Sequence, residues 1–330
     1  MSSCYNPSEM TKNNWPQIIW DAGCLLSVVG IWPRYIEPEL ISATKAVCSI
    51  RGLPDDLEGF RIVQFGDLHI NAGLSDRFLD RLTRKILQLK PDLIAFTGDF
   101  ICYSQLDDPG RLEAFLNGLS APYGCFAVLG NHDYAKPILI NTQTGDYDAV
   151  ERKEGNVAAG LKLLCRRPPI SGNVSENARK TDFHRPLMEL LDKTPFRVLH
   201  NQAASVPVGG SKIAVAGLGE YMLGKARPDL AFEGICERSP TVVLAHNPDS
   251  VPSLSGYPGD LILCGHTHGA QINLWGLWNR FTLMEHPRYK RGLFRENQKT
   301  IYVNRGVGSA FKFRLFSVPE VTLFQLKKEP

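Results

Sequence analysis

Between residues 60 and 133, short apolar runs alternate with amphipathic segments, and this alternation constrains the fold more than any other feature. The apolar runs have the length and composition of buried strands and cover residues 60–65, 92–96 and 125–129. The segments between them, 74–89 and 106–119, carry apolar residues at helical spacing. The resulting β-α-β-α-β order predicts a layered α/β fold.

Further strands are predicted beyond this unit, at residues 212–216, 241–245, 261–264, 301–304 and 321–326. Residues 134–200 interrupt the pattern, because the stretch is polar and too long for a plain connection. We predict that it forms a lid insertion over the site, with the amphipathic run 161–167 as its apolar face. The chain then divides into an apolar N-terminal segment and linker at 1–53 and a domain at 54–330.

The composition is that of a globular protein, with 43% hydrophobic and 22% charged residues among 330. It excludes a disordered chain, a fibrous chain and an integral bundle of membrane helices. The formal net charge of +3 gives no argument for a nucleic-acid partner, and we predict none. Residues 280–314 nevertheless hold nine Lys or Arg against two Glu. This basic segment either faces phosphate or anionic lipid, or forms a solvated surface.

An apolar segment rich in tryptophan precedes the domain. Residues 18–32 contain one acid and are shorter than the roughly 20 residues that span a bilayer. Trp15, Trp20 and Trp32 favour a membrane–water interface. We predict that this segment contacts a membrane surface; the alternatives are a helix packed on the domain and a dimer contact. The alternating run 311–316 is either a second interfacial contact or an amphipathic strand.

Polar side chains stand at the carboxyl ends of five predicted strands. Open α/β sheets collect their ligands at such ends, so these side chains are expected at one edge. Carboxylate and imidazole together suit Mn²⁺, Fe or Zn²⁺ rather than Ca²⁺. The candidate metal ligands are Asp67, His69, Asp99, Asn131, His246, His266 and His268.

These candidate ligands divide between two ions. Asp99 can bridge both, because a carboxylate offers two oxygens. The others form two groups of three: Asp67, His69 and His268 at one position, and Asn131, His246 and His266 at the other. Two cations about 3.5–4 Å apart activate a water and hold an attacked phosphorus between them.

His132 directly follows a candidate ligand, so its side chain can face the substrate. There it can donate a proton to the leaving oxygen, or a hydrogen bond to a phosphoryl oxygen. Asp133, the second candidate catalytic residue, either orients His132 or caps the turn.

The complete pattern D-x-H, G-D, G-N-H-D, H and G-H-x-H resembles that of the calcineurin-like metallophosphoesterase superfamily. The resemblance covers roughly residues 60–330. It implies a four-layer α-β-β-α sandwich with two mixed sheets. It also implies two divalent metal ions, with Mn²⁺ expected first and Fe, Zn or Ni as alternatives, bound by the seven residues above, and His132 as the catalytic histidine.

The segments GFRIVQFGDLH, LAHNPD, GHTHGAQI and PEVTLFQL are similar to the YkuE-like branch of that superfamily. The branch includes membrane-associated LpxG-type UDP-2,3-diacylglucosamine pyrophosphatases of lipid A biosynthesis. The resemblance implies a nucleotide-linked lipid substrate, which is hydrolysed to UMP and 2,3-diacylglucosamine 1-phosphate. It implies a peripheral protein on the cytoplasmic face of a bacterial inner membrane.

Two basic residues are candidates for contact with a diphosphate. Arg305 follows the predicted strand 301–304, and Lys290 lies in the basic segment. The alternative for each is an ordinary surface charge. The alternative for the whole chain is a soluble metallophosphodiesterase or phosphatase that acts on another substrate.

Overall fold

A computed structural model of the chain describes residues 14–150, 169–236, 238–273 and 283–329. Within these ranges the strands, in chain order, are β1 (Ser42–Ile50), β2 (Arg61–Phe65), β3 (Leu93–Phe96), β4 (Cys125–Ala127), β5 (Ile138–Ile140), β6 (Tyr147–Ala149), β7 (Phe196–Val198), β8 (Gln202–Val208), β9 (Ser211–Gly217), β10 (Thr241–Leu244), β11 (Leu261–Cys264), β12 (Gly292–Glu296), β13 (Lys299–Val303) and β14 (Glu320–Lys328). The α-helices are α1 (Trp15–Leu26), α2 (Asp76–Gln88), α3 (Pro109–Asn117), α4 (Glu176–Arg179), α5 (Arg185–Leu191) and α6 (Pro228–Ala231).

The strands form two six-stranded sheets and one hairpin. The first sheet has the order β1-β14-β2-β3-β4-β7, and the second has the order β12-β13-β11-β10-β9-β8. In the first sheet β2, β3, β4 and β7 are parallel, whereas β14 runs antiparallel to β2. In the second sheet β9, β10, β11 and β13 are parallel, and the edge strands β8 and β12 are antiparallel. Both sheets are therefore mixed.

Buried side chains on both faces of each sheet place the two sheets in the middle of four layers. On β3, Leu93 and Ala95 pack between the sheets, while Ile94 and Phe96 pack against the helices. On the second sheet, Val243 belongs to a third apolar cluster on the outer face, beneath short helical segments. Strands buried on both faces read as continuous apolar runs, which is why the sequence shows them clearly. The predicted four-layer sandwich is confirmed.

Local sequence signals account for the two predicted helices. Helix α2 begins after Ser75, whose hydroxyl accepts a hydrogen bond from Phe78 N at 3.2 Å. Its face of Phe78, Leu82 and Ile86 is buried against the first sheet. Helix α3 begins after Asp108, whose carboxylate accepts from Arg111 N.

Strand β1 lies inside the segment that the sequence assigned to the N-terminal linker. It pairs in parallel with β14 along its whole length, from Ser42 with Glu320 to Ile50 with Lys328. The first sheet therefore begins before residue 54.

Part of the predicted insertion belongs to the main sandwich. Helix α5 and strand β7 form a helix–strand unit that adds the last strand to the first sheet. The remaining described part of the insertion carries the β5–β6 hairpin and α4. The amphipathic run 161–167 lies outside the described residues.

The N-terminal helix projects apolar side chains into solvent. Helix α1 continues with π-helical hydrogen bonding over Ser27–Ile36, and none of the α1 side chains is buried. Trp20 is 69% exposed and Leu26 is 71% exposed. In the described part of the chain, no helix is both long and apolar enough to cross a membrane.

Candidate metal centre

The candidate ligands sit on tight turns directly after the strands. Five of them adopt backbone conformations with positive φ, which residues other than glycine rarely do. These are Asp67 (φ 52°), His69 (44°), Asp99 (59°), His266 (70°) and His268 (49°). Such strain persists only where the surrounding structure enforces it, and it is concentrated at functional sites. The turns bring side chains from the ends of both sheets to one place.

Two glycines allow these turns to approach each other. At Gly98, φ is +92°, and a Cβ atom would lie 2.7 Å from both His246 Nδ1 and Gly130 N. A Cβ atom at Gly130 would overlap the carboxylate of Asp99. The glycines of G-D and G-N-H-D are therefore required by close backbone contact.

The first predicted group of ligands is assembled. His69 Nε2 lies 3.0 Å from His268 Nε2, and His268 Nε2 lies 3.7 Å from Asp67 Oδ1. His69 Nε2 also lies 3.3 Å from Asp99 Oδ2. Donor atoms of Asp67, His69 and His268 all lie within 4.8 Å of one another, which is close enough for one ion.

The second predicted group is assembled on the other side of Asp99. His246 Nε2 lies 3.3 Å from Asp99 Oδ2 and 3.1 Å from Asn131 Oδ1. His266 Nδ1 lies 2.9 Å from Asn131 Oδ1. Asp99 Oδ2 thus faces one histidine of each group at the same distance, as a shared ligand requires.

The surroundings direct these donor atoms inward. Asn131 Nδ2 donates to Ile138 O at 2.7 Å, which leaves the amide oxygen for the site. His246 Nδ1 donates to Thr97 O at 2.7 Å, so Nε2 is the nitrogen that can bind an ion once its proton has left. Asp67 Oδ2 is buried and has no hydrogen-bond partner among the described residues. An unpartnered carboxylate oxygen beside neutral imidazoles fits a divalent cation.

Burial lowers the pKa of most imidazoles of the site, whereas at His246 the nearby carboxylate of Asp99 outweighs burial and raises the pKa well above its usual value. Burial lowers the pKa of His69 and of His266 to about 3 in each case, so both rings are neutral near pH 7. A neutral imidazole can bind a metal ion without first losing the proton of an imidazolium.

The ring of His132 has a defined orientation and tautomer. Its Nδ1 accepts a hydrogen bond from Tyr103 N at 2.8 Å, so the neutral ring carries its proton on Nε2. The ring packs edge-on to His69 with the centroids 4.7 Å apart. The His132 backbone N–H donates to Asp99 Oδ1 at 3.0 Å. His132 thus presents an N–H donor beside the two ligand groups.

Asp133 takes the alternative role, that of capping a turn. Its carboxylate accepts from three backbone amides, those of Asp99 at 2.8 Å, Gly130 at 2.9 Å and Ile101 at 3.1 Å. These bonds join the turns after β3 and β4. Of the two roles predicted for Asp133, the geometry favours the cap of the turn, and the Tyr103 amide holds the His132 ring.

The side chain of Arg305 and the backbone of Lys290 both have structural partners near the site. Arg305 Nε donates to Glu320 Oε2 at 3.1 Å, and its Nη2 donates to Ser42 Oγ at 3.0 Å. The backbone oxygen of Lys290 accepts from Thr267 Oγ1, between the two histidines of G-H-T-H.

Sequence reasoning missed two residues of the site. Tyr103 acts through its backbone amide, which leaves no signature in the side-chain pattern. Arg314 is 1% exposed and lies 3.3 Å from His268, although the sequence predicts an interfacial contact or a strand for its run 311–316. An arginine among alternating apolar residues was the available signal.

A four-layer sandwich whose strand ends hold two groups of metal-binding side chains around one aspartate suits a dinuclear divalent metal site. The family model described as calcineurin-like phosphoesterase matches residues 60–270, and the chain belongs to this family of metallophosphoesterase hydrolases.

Curated relatives match along nearly the whole chain. UDP-2,3-diacylglucosamine pyrophosphatase LpxG of Chlamydia muridarum is 34% identical over 311 residues, which cover 91% of this chain and 93% of the relative. The protein of the same name from Chlamydia trachomatis is 35% identical over the same shares of both chains. An uncharacterized metallophosphoesterase of Bacillus subtilis, YkuE, is 30% identical over 93% of each chain. The predicted resemblance is thereby confirmed.

Proposed function

We propose that this protein is a metal-dependent diphosphatase that hydrolyses UDP-2,3-diacylglucosamine to UMP and 2,3-diacylglucosamine 1-phosphate in lipid A biosynthesis. The observation that carries the proposal is the pair of ligand groups that meet at Asp99 Oδ2. The similarity to two LpxG proteins over 91% of this chain supports the substrate.

In this proposal the candidate ligands hold two ions, and Mn²⁺ is the proposed metal. Asp99 is shared between them. The remaining ligands are Asp67, His69 and His268 at the first position, and Asn131, His246 and His266 at the second. When bound, two such cations supply an activated water and hold the oxygens of the attacked phosphoryl group.

His132 is proposed to act on the substrate itself. Because Nδ1 accepts from the Tyr103 amide and the ring is neutral, Nε2–H can donate a hydrogen bond to a phosphoryl oxygen, whereas loss of that proton to the leaving oxygen would leave an imidazolate. Asp133 stabilises the turn that carries His132, because its carboxylate accepts a hydrogen bond from Gly130 N.

We further propose that the N-terminal helix rests on the cytoplasmic face of the inner membrane. A substrate with two acyl chains is presented at a membrane, and the exposed Trp15, Trp20 and Leu26 offer an apolar contact there. Two basic residues lie at the base of this helix: Arg34 packs over Phe311, and Lys312 contacts Glu39. From this position both can meet lipid phosphates. Of the predicted insertion, the described part outside the sandwich, which carries the β5–β6 hairpin and α4, is proposed to act as a lid.

The test is ³¹P NMR of UDP-2,3-diacylglucosamine in detergent with metal-free protein, before and after Mn²⁺ is added. We expect UMP and a sugar 1-phosphate to appear only with the metal, and ¹⁸O-labelled water then identifies the attacked phosphorus. Bis-p-nitrophenyl phosphate is assayed in parallel. Hydrolysis of this ester alone would refute the lipid substrate and favour a soluble phosphodiesterase.

A further inference from the structure

Arg314 is a buried arginine whose guanidinium collects backbone carbonyls. It is 1% exposed. Nη1 donates to Arg305 O at 3.0 Å and to Ser317 O at 2.9 Å, and Nη2 donates to Gly306 O and Gly308 O. No carboxylate among the described residues lies within ion-pair distance of it. A buried guanidinium is costly to place, so four carbonyl partners indicate a site built to hold it.

The same guanidinium touches the metal centre at its first position. Nη2 lies 3.3 Å from His268 Nδ1. The opposite nitrogen of that ring, Nε2, lies 3.7 Å from Asp67 Oδ1. The Gly308 N–H donates to Asp67 O at 2.8 Å, so the loop that Arg314 binds also supports the turn carrying Asp67. Arg314 therefore contacts the surroundings of two candidate ligands at once.

The loop that carries Arg314 is itself fixed to the N-terminal segment. The Arg314 N–H donates to Pro33 O at 2.7 Å. The amides of Phe316 and Ser317 both donate to the buried carboxylate of Glu37. Ser317 Oγ donates to the backbone oxygen of His268 at 2.6 Å. Residues 314–317 thus lie between the base of the N-terminal helix and His268.

We propose that Arg314 is a positioning residue for the first metal position: it holds the 306–308 loop, which supports the turn of Asp67, and packs against the edge of the His268 ring, so that His268 and Asp67 face one ion. The proposal rests on the metal centre proposed above. Lysine cannot replace arginine here, because one ammonium cannot reproduce the planar fork that reaches carbonyls on two sides and the imidazole.

The test is metal binding by metal-free full-length R314K, measured by Mn²⁺ titration calorimetry and electron paramagnetic resonance. We expect the wild type to bind two ions with an exchange-coupled spectrum. We expect R314K to bind one ion with unchanged affinity and the other at least tenfold more weakly, with an uncoupled six-line spectrum. The matched control is R81K, because Arg81 also binds the N-terminal segment, through Glu39, but lies away from the ligands. R81K should keep the coupled pair.

Two further variants extend the test, and the first of them does not require R314K to fold. Ser317→Ala removes only the hydroxyl on His268 O and should weaken the same ion, with a smaller effect. In a cycle with His268→Ala, the effects of R314K and His268→Ala should be non-additive, because both act on one position. If R314K and Ser317→Ala both keep the exchange-coupled pair of ions seen in the wild type, the role of Arg314 is refuted while the metal centre is not. A wild type without two ions would overturn the proposed metal centre.

Discussion

Asp99 divides its two carboxylate oxygens between different partners. Oδ1 accepts from the His132 amide, whereas Oδ2 lies 3.3 Å from His69 and 3.3 Å from His246. Removal of this carboxylate therefore affects both groups of ligands. We expect Asp99→Ala, purified with Mn²⁺, to lose metal at both positions when metal content is measured by mass spectrometry. Asp108→Ala, which removes the cap of α3, should retain both ions. An Asp99→Ala protein that still held two ions would contradict the shared role.

His132 contributes a hydrogen-bond donor to a phosphoryl oxygen that the metals do not replace. The loss of one such donor costs roughly 10²–10³-fold in rate, so we expect His132→Ala to lower kcat by about that factor. The metal content should not change, because the proposed ligands remain. Steady-state kinetics with the nitrophenyl diester, together with metal analysis of the same sample, checks both parts. Turnover near that of the wild type would remove His132 from the mechanism.

Asp67 makes metal binding depend on pH. Burial, together with the nearby charge of Asp99, raises the pKa of Asp67 to about 7 in the metal-free protein. Below pH 7, protons compete with the cation for the Asp67 carboxylate. Above pH 7 the carboxylate is ionised, and this competition disappears. We expect the first position to lose affinity for Mn²⁺ by about tenfold per pH unit between pH 7 and pH 5.5. Calorimetric titrations across this range measure the slope, and a flat profile would refute the raised pKa.

Residue types were predictable where a side chain itself performs the chemistry. Aspartate, asparagine and histidine after apolar runs identified the candidate ligands, because little else explains such residues at strand ends. Tyr103 was not predictable, because its contribution is a backbone amide. Asp133 was ambiguous, since a carboxylate can equally orient an imidazole or accept amides, and only the turn geometry decides between the two.

Strands differ in how clearly the sequence shows them. Those inside the sheets, such as β3 and β11, are buried on both faces and read as apolar runs. The edge strand β1 alternates half-buried and exposed residues over most of its length, and β8 alternates in a similar way. Because they mix polar residues with apolar ones, their composition resembles that of a linker. Their partner strands are distant in the sequence or joined through a hairpin, so local sequence does not reveal the pairing. For this reason the sequence placed the domain boundary after β1.

The turn after β3 offers a test of how backbone geometry supports the site. Gly98 has φ +92° and no room for a Cβ atom beside His246. We expect Gly98→Ala to lower the free energy of unfolding by about 1–3 kcal/mol, as strained backbone does. Urea unfolding of the metal-free protein measures the change. Gly110→Ala is the matched control, because a Cβ atom there would meet only Asp108 at 3.9 Å. Equal stability of the two variants would exclude a steric requirement at Gly98.

At the scale of the whole molecule, the centre exists only where the two sheets meet. Asp67, Asp99 and Asn131 follow strands of the first sheet, whereas His246 and His266 follow strands of the second. The sequence could predict each strand end separately. The 314–317 loop could not be predicted, because its contacts depend on residues from the N-terminal segment and from the end of the chain.

The exposed N-terminal helix gives the last prediction. Because its apolar side chains face solvent, replacing two of them with acids should remove membrane contact without disturbing the sandwich. We expect Trp20→Glu/Leu26→Glu to lose sedimentation with vesicles of phosphatidylethanolamine and phosphatidylglycerol while its rate on bis-p-nitrophenyl phosphate stays unchanged. Hydrolysis of the diacylated substrate in those vesicles should fall by at least tenfold, because enzyme and substrate no longer share a surface. The control variant Gln17→Glu/Ser27→Glu adds the same charge at polar positions. It should bind the vesicles more tightly than Trp20→Glu/Leu26→Glu does. If both double variants sediment like the wild type, the helix is not the membrane contact.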